Sequence, residues 1–156
     1  MRVVLLGFWL ILALSAESGP ETMRREMLEA HNRVRAALGV RPLVWSDKLA
    51  DAAQTWADQL LAEHRLRHRA NPRYGENLYL IGGGSATPND VVSAWASEER
   101  DYEYASNSCH SRCGHYTQIV WRSTRQVGCA RARSRLLEVW VCEYYPPGNY
   151  IGQRPY

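Results

Sequence analysis

The stretch Gly114-His115-Tyr116-Thr117-Gln118-Ile119-Val120-Trp121 decides how the rest of this 156-residue chain is read. Cys109 and Cys113 stand just before it, so a histidine is held between a small cysteine-bounded loop and an apolar run. Ile119 and Val120 follow His115 at four and five positions, and a helical turn would bring its ring along the face that carries packing residues. A lone histidine in such a place is ordinarily a hydrogen-bonded core residue. This one gains a different meaning from the polar residues found on either side of it.

Toward the C-terminus, residues 127–133 and 138–144 alternate as two strands, with Ala130, Ala132, Val139 and Val141 on one face. If Ser134-Arg135-Leu136-Leu137 is a four-residue hairpin loop, Arg133 faces Glu138. Counting four back and four forward then sets Cys129 opposite Cys142. In a chain that is exported, as the N-terminal residues described below suggest, four cysteines favour two disulfides, although their spacing would also suit a four-cysteine zinc site. The expected pairs are therefore Cys129 with Cys142 and, by elimination, Cys109 with Cys113. Closing the longer loop contributes about 3 kcal/mol on a chain-entropy account. The tail from Pro146 reads as loop.

Toward the N-terminus, Thr87-Pro88-Asn89-Asp90 opens a helix with Thr87 as cap and Pro88 at its first position. Its apolar stripe is Val91, Ala94 and Trp95, and the next position on that stripe is Glu98; Glu99, following Val92 and Trp95, is the alternative inward carboxylate. Residues 74–80 alternate as a short strand that puts Glu76 on the side of Leu78 and Leu80, where a carboxylate needs a partner. Gly82-Gly83-Gly84-Ser85 is a loop with no claim to cradle phosphate. Residues 64–73 are polar and basic. Ser46 caps a helix carrying Leu49, Ala53, Trp56 and Leu60, and residues 40–45 connect it to an earlier amphipathic helix with Met23, Met27, His31, Val34 and Leu38, closed at Gly39.

Residues 3–16 are almost wholly apolar after Arg2 and end in small residues, the pattern of a secretory signal peptide (residues 1–16), cleaved after Ser15 or Ala16. The run is short for a bilayer span, so no transmembrane anchor is expected after cleavage. The remainder is one domain (residues 22–156), large enough to bury roughly two-thirds of its unfolded surface. The net charge of +3 is mild. Arg65, Arg67, Arg69 and Arg73, and again Arg131, Arg133 and Arg135, read as solvated clusters, and no nucleic-acid motif is present.

His68, His115, Glu76 and Glu98 each lie where periodicity expects something else. Together they could form a cluster in which carboxylates accept from imidazole nitrogens, fixing tautomers and leaving the other nitrogens free for a metal.

Residues 114–123 resemble the first signature of the CAP superfamily, which includes cysteine-rich secretory proteins, venom antigen 5 and plant pathogenesis-related family 1 proteins; residues 139–150 resemble the second. His31-Asn32 with Arg35, Leu43-Val44-Trp45, Tyr74-Gly75-Glu76-Asn77-Leu78, and Trp95 with Glu98 match in the same order. The resemblance implies an α+β fold, an α-β-α sandwich with a central antiparallel sheet between helical layers. It also implies a cleft lined by His68, Glu76, Glu98 and His115, and so selects Glu98 over Glu99. In some members similar histidines, here His68 and His115, hold zinc or another divalent cation. Other members bind sterols or fatty acids, and plant members are linked to defence and can release a C-terminal peptide. This chain departs at Glu143, where a small polar residue is usual, and at the bulky Trp140. It lacks a third disulfide, whose positions fall at His64 and Ser134, and the residues before Pro146 differ from the context of peptide release.

The expected function is thus a secreted, non-catalytic domain that binds a cation, a sterol or fatty acid, or a protein partner. The alternative is a metal-dependent hydrolase or peptidase with His68 and His115 as ligands, one glutamate as a third ligand and the other as general base. Ser111 and Ser123 have no third partner that would make them nucleophiles.

Overall fold

A computed structural model describes residues 19–70 and 72–156; the signal-peptide reading falls outside them. In chain order the elements are α1 (Pro20–Ala37), β1 (Val44–Trp45), α2 (Asp47–Glu63), β2 (Gly75–Gly82), α3 (Pro88–Ala96), a 3-10 turn (Ser97–Asp101), β3 (Tyr102–Glu103), β4 (Ser108–Cys109), α4 (Gly114–Ile119), β5 (Gln126–Arg133) and β6 (Leu137–Tyr145). No helix of the described residues is long and apolar enough to cross a membrane.

The sheet order is β1-β5-β6-β2. The three long strands are antiparallel, but Val44 and Trp45 pair parallel with Gln126 and Val127, so the sheet is mixed and the expected connector contributes its edge. Strand alternation gives the sheet two separate cores. On one face Val127, Cys129, Trp140, Cys142 and Tyr144 pack with Met27, Val91, Trp95 and Ile119 of α1, α3 and α4. On the other Leu78, Ala130, Ala132, Val139 and Val141 pack with Ala53, Trp56, Ala57 and Leu60 of α2. The small residues at 130 and 132 let α2 lie close. Gly128 lets it lie closer still, because a Cβ there would run into the backbone of Ser46, Leu49 and Ala50.

Arg133 faces Glu138 and Cys129 faces Cys142, joined as a disulfide with Cα atoms 4.1 Å apart. That short distance belongs to a non-hydrogen-bonded antiparallel pair. Cys109 is bonded to Cys113, and no cysteine is left free among the described residues. A four-cysteine zinc site is thereby ruled out.

α3 begins as its residues dictate: Thr87 and Asp90 form a reciprocal capping box with Pro88 at the start. Its stripe differs from the periodic expectation, since Ala94 is exposed and the helix tightens to 3-10 geometry after Ala96. Glu98, the next position of the stripe, is buried and Glu99 lies outside.

Candidate binding cleft

A cleft of about 670 Å³ is lined by His68, Glu76, Glu98 and His115, together with Leu66, Arg67, β2 residues Leu78, Tyr79 and Leu80, and Arg112. The two histidines are presented differently. His115 is the second residue of α4, and its half-buried ring lines this cleft. The ring stacks on Trp95 with centroids 6.0 Å apart. Its Nδ1 lies 2.7 Å from Glu98 Oε1, while Glu98 Oε2 accepts the backbone N–H groups of His115 at 3.0 Å and Tyr116 at 3.4 Å. One carboxylate thus holds both the ring and the backbone start of the short helix.

His68 comes from the loop before β2 and is 62% exposed at its side chain, against 3% for its partner Glu76. Its Nδ1 lies 2.5 Å from Glu76 Oε1, and that bond raises the His68 pKa, partly opposed by burial. Arg69 organises the carboxylates beneath. Its Nε donates to Glu143 Oε1 at 3.1 Å and lies 3.8 Å from Glu76 Oε2. Its Nη2 donates to the Ala52 carbonyl of α2 at 2.6 Å, and its guanidinium lies 4.7 Å from the centre of the Trp56 ring. Arg67, bonded bidentately to Glu63, lies 4.6 Å from the same ring.

Glu143 stands directly across from Glu76 in the β2–β6 ladder. Burial, followed by the neighbouring Glu76 charge, pushes its pKa up to about 7 against the pull of Arg69. Glu76 and Glu143 each keep one buried oxygen without a hydrogen-bond partner among the described residues. Arg69 is the residue that periodicity overlooks, because it falls in a basic run that reads as solvated. A signal for it exists in the sequence: strand alternation sets Glu143 on the face of Glu76, and two facing carboxylates demand a cation.

A different polar chain supports the far wall. His31 Nδ1 donates to the Met27 carbonyl at 2.8 Å, leaving Nε2 to accept from the Tyr144 hydroxyl at 2.8 Å; burial holds its pKa down at about 4. Asn77 Nδ2 donates to Tyr144 and to the His115 carbonyl, both at 3.1 Å. A His31 nitrogen also lies within 4.8 Å of the Cys129 and Cys142 sulfurs. That group cannot hold a metal, since the sulfurs are bonded to each other and both ring nitrogens are engaged.

His68 and His115 have the donor chemistry a divalent cation needs. A carboxylate can only accept, so in the neutral ring Nδ1 carries the proton and Nε2 keeps its lone pair. Neither Nε2 has a protein partner among the described residues, and both rings line one cleft. The lining contains no serine, threonine or cysteine.

Residues 28–144 match the cysteine-rich secretory protein family, CAP. Pathogenesis-related protein 1A of Nicotiana tabacum is 42% identical over 150 residues, covering 94% of this chain and 89% of its own. Pathogenesis-related protein 1 of Arabidopsis thaliana is 40% identical over 148 residues, with 94% and 88% covered. Among solved structures, NaASP2 with Zn2+ superposes with a TM-score of 0.73 at 20% identity, covering 90% of this chain and 88% of that one. Schistosoma mansoni venom allergen-like protein 4 gives 0.66 at 23% identity, with 86% and 93% covered. Matched along most of its length to that family and to its plant members, this chain belongs to the cysteine-rich secretory protein (CAP) family.

Proposed function

We propose that this chain is a secreted, defence-related binding protein whose cleft holds a divalent cation, zinc foremost, on Nε2 of His68 and His115. The observation that carries this reading is the pair of Nδ1–carboxylate bonds, His68 to Glu76 and His115 to Glu98. A ligating histidine characteristically donates its other nitrogen to such a partner, which fixes the ring and strengthens its basicity. The NaASP2 structure, solved with Zn2+ in a similar fold, supports the choice of cation. Two disulfides and plant relatives of the pathogenesis-related type support export and a role in defence.

Binding is favoured over hydrolysis because both glutamates are already committed. Glu98 is engaged through both oxygens, by the His115 ring and by two backbone N–H groups, and the second oxygen of Glu76 is buried, so neither is presented to the cleft as the general base that a metal-assisted hydrolase requires. The sterol or fatty-acid reading draws no support from this cleft, where Leu66, Leu78 and Leu80 are interleaved with ionisable groups.

Metal analysis and calorimetric zinc titration of the wild type beside the His68→Ala, His115→Ala double variant test the proposal. The expected result is saturable uptake by the wild type and none by the folded double variant. Equal uptake by both, or none by the wild type, overturns it.

A further inference from the structure

β2 is an outer strand of the sheet, and the cleft runs along it. Leu78, Tyr79 and Leu80 all line the cleft although successive side chains point to opposite faces, so the cavity follows the edge of the strand and not one face. The direction of the backbone groups is set by one contact. Trp95 Nε1 donates to the Leu78 carbonyl at 3.1 Å, so that carbonyl points away from β6. In an antiparallel ladder, outward and inward residues alternate, which turns the N–H and C=O of Glu76, Leu80 and Gly82 the same way. Gly83, in the opposite phase, donates to the Leu136 carbonyl at 2.9 Å, as this alternation requires. Leu80 is exposed, and its two backbone groups have no partner among the described residues.

An unpaired strand edge is a template for another strand, and proteins ordinarily blunt or cover it. Here Trp95 covers the edge at the Leu78 carbonyl, and from Leu80 onward the edge is left open beside the cavity. Arg112, on the cleft wall, has no carboxylate within 4.0 Å among the described residues. The Glu76 end of the strand is polar, and the Leu80 end, four residues and about 13 Å further on, is apolar.

We infer that the open edge of β2 receives an extended peptide segment as an added strand, with an acidic side chain of the peptide directed to Arg112. Leu80 supplies the central pair of backbone hydrogen bonds, and recognition is mainly through main chain, with side-chain preference set at the two ends. This inference rests on the same cleft as the proposed function but does not use the cation.

The test is fluorescence polarisation with a blocked, labelled hexapeptide of alternating valine and threonine with one central aspartate, in the presence of a chelator. Saturable binding is expected. N-methylation of alternate peptide amides should weaken it about tenfold in one phase and leave it unchanged in the other, because only alternate N–H groups face β2. Leu80→Pro removes one outward N–H without touching the β2–β6 ladder, since proline is tolerated at an edge. It should weaken binding about tenfold with the melting temperature retained. Arg112→Ala should weaken the aspartate peptide and leave its asparagine counterpart unchanged. No saturable binding, equal loss in both methylation phases, or a folded Leu80→Pro that binds like the wild type each overturns the inference. If Leu80→Pro does not fold, the methylation pair decides. With chelator present, failure of zinc uptake leaves this result interpretable, and failure of peptide binding leaves the zinc titration interpretable.

Discussion

His115 is clamped by a short helix, a stacked indole and one carboxylate that also accepts two backbone N–H groups, whereas His68 sits on an exposed loop over a buried glutamate. In the first dyad the histidine is the fixed element and its acid completes a helix start. In the second the acid is the buried element: it is bonded to His68 above and accepts from the Arg69 backbone N–H, and the Arg69 guanidinium lies 3.8 Å from its other oxygen. The same two-residue chemistry is thus supported once by local backbone and once by a long-range charge network. The two should fail in different ways.

The largest effect is expected at Arg69. Arg69→Ala strands Glu76 and Glu143 as facing buried carboxylates and should cost about 4 kcal/mol in denaturant unfolding. Adding Glu143→Gln to that variant should recover about half of the loss. A loss confined to the surface scale of about 0.5 kcal/mol would mean that the His68 dyad stands without its cation.

The second test is the pH dependence of stability. Burial raises the folded-state pKa of Glu143 from 4.5 to about 7, so between those values the folded chain keeps a proton that the unfolded chain has released. The wild type therefore loses stability as pH rises through this window. Glu143→Gln should gain on it by about 3 kcal/mol from pH 4.5 to 7, read from paired thermal or chemical unfolding series. His31, held at about 4, acts in the opposite sense and weakens the fold as pH falls below 6.5, in both proteins alike.

A third measurement isolates the local dyad. Glu98→Ala leaves the N–H groups of His115 and Tyr116 without their acceptor and should cost about 2 kcal/mol, with no change in the pH profile assigned to Glu143. The smallest effect belongs to His68. Its imidazole should titrate above the ordinary 6.5 by nuclear magnetic resonance, and Glu76→Gln should return it toward that value. The pair's stabilisation is present below 6.5 and disappears as pH rises through the raised folded value. Solvent screening limits it to about 0.5 kcal/mol.

Much of the architecture is legible in the sequence because local rules carry it. The capping box at Thr87 and Asp90, the hairpin counted from Ser134 to Leu137 and the disulfide of Cys129 with Cys142 all depend on neighbours in sequence or in one ladder. The parallel pairing of Val44 and Trp45 is not legible, since two residues carry no periodicity and their partners, Gln126 and Val127, lie far along the chain. Nor does the pattern reveal where α3 tightens. Ala94 fits the apolar stripe by count yet is exposed, and the helix passes to 3-10 geometry after Ala96. At the cleft, periodicity turns Glu76 and Glu98 inward. The partner of the His115 ring is an acid 17 residues upstream, a contact that helical spacing alone does not reveal.

The polar chain from His31 through Tyr144 and Asn77 to the His115 carbonyl has a practical corollary. α1 contributes no side chain to the cleft lining, yet it holds one end of the chain that positions a cleft wall. Anyone trimming this domain to a minimal scaffold for grafting would therefore have to carry the first helix along, and could instead economise on the exposed turn around Arg135 and Leu136.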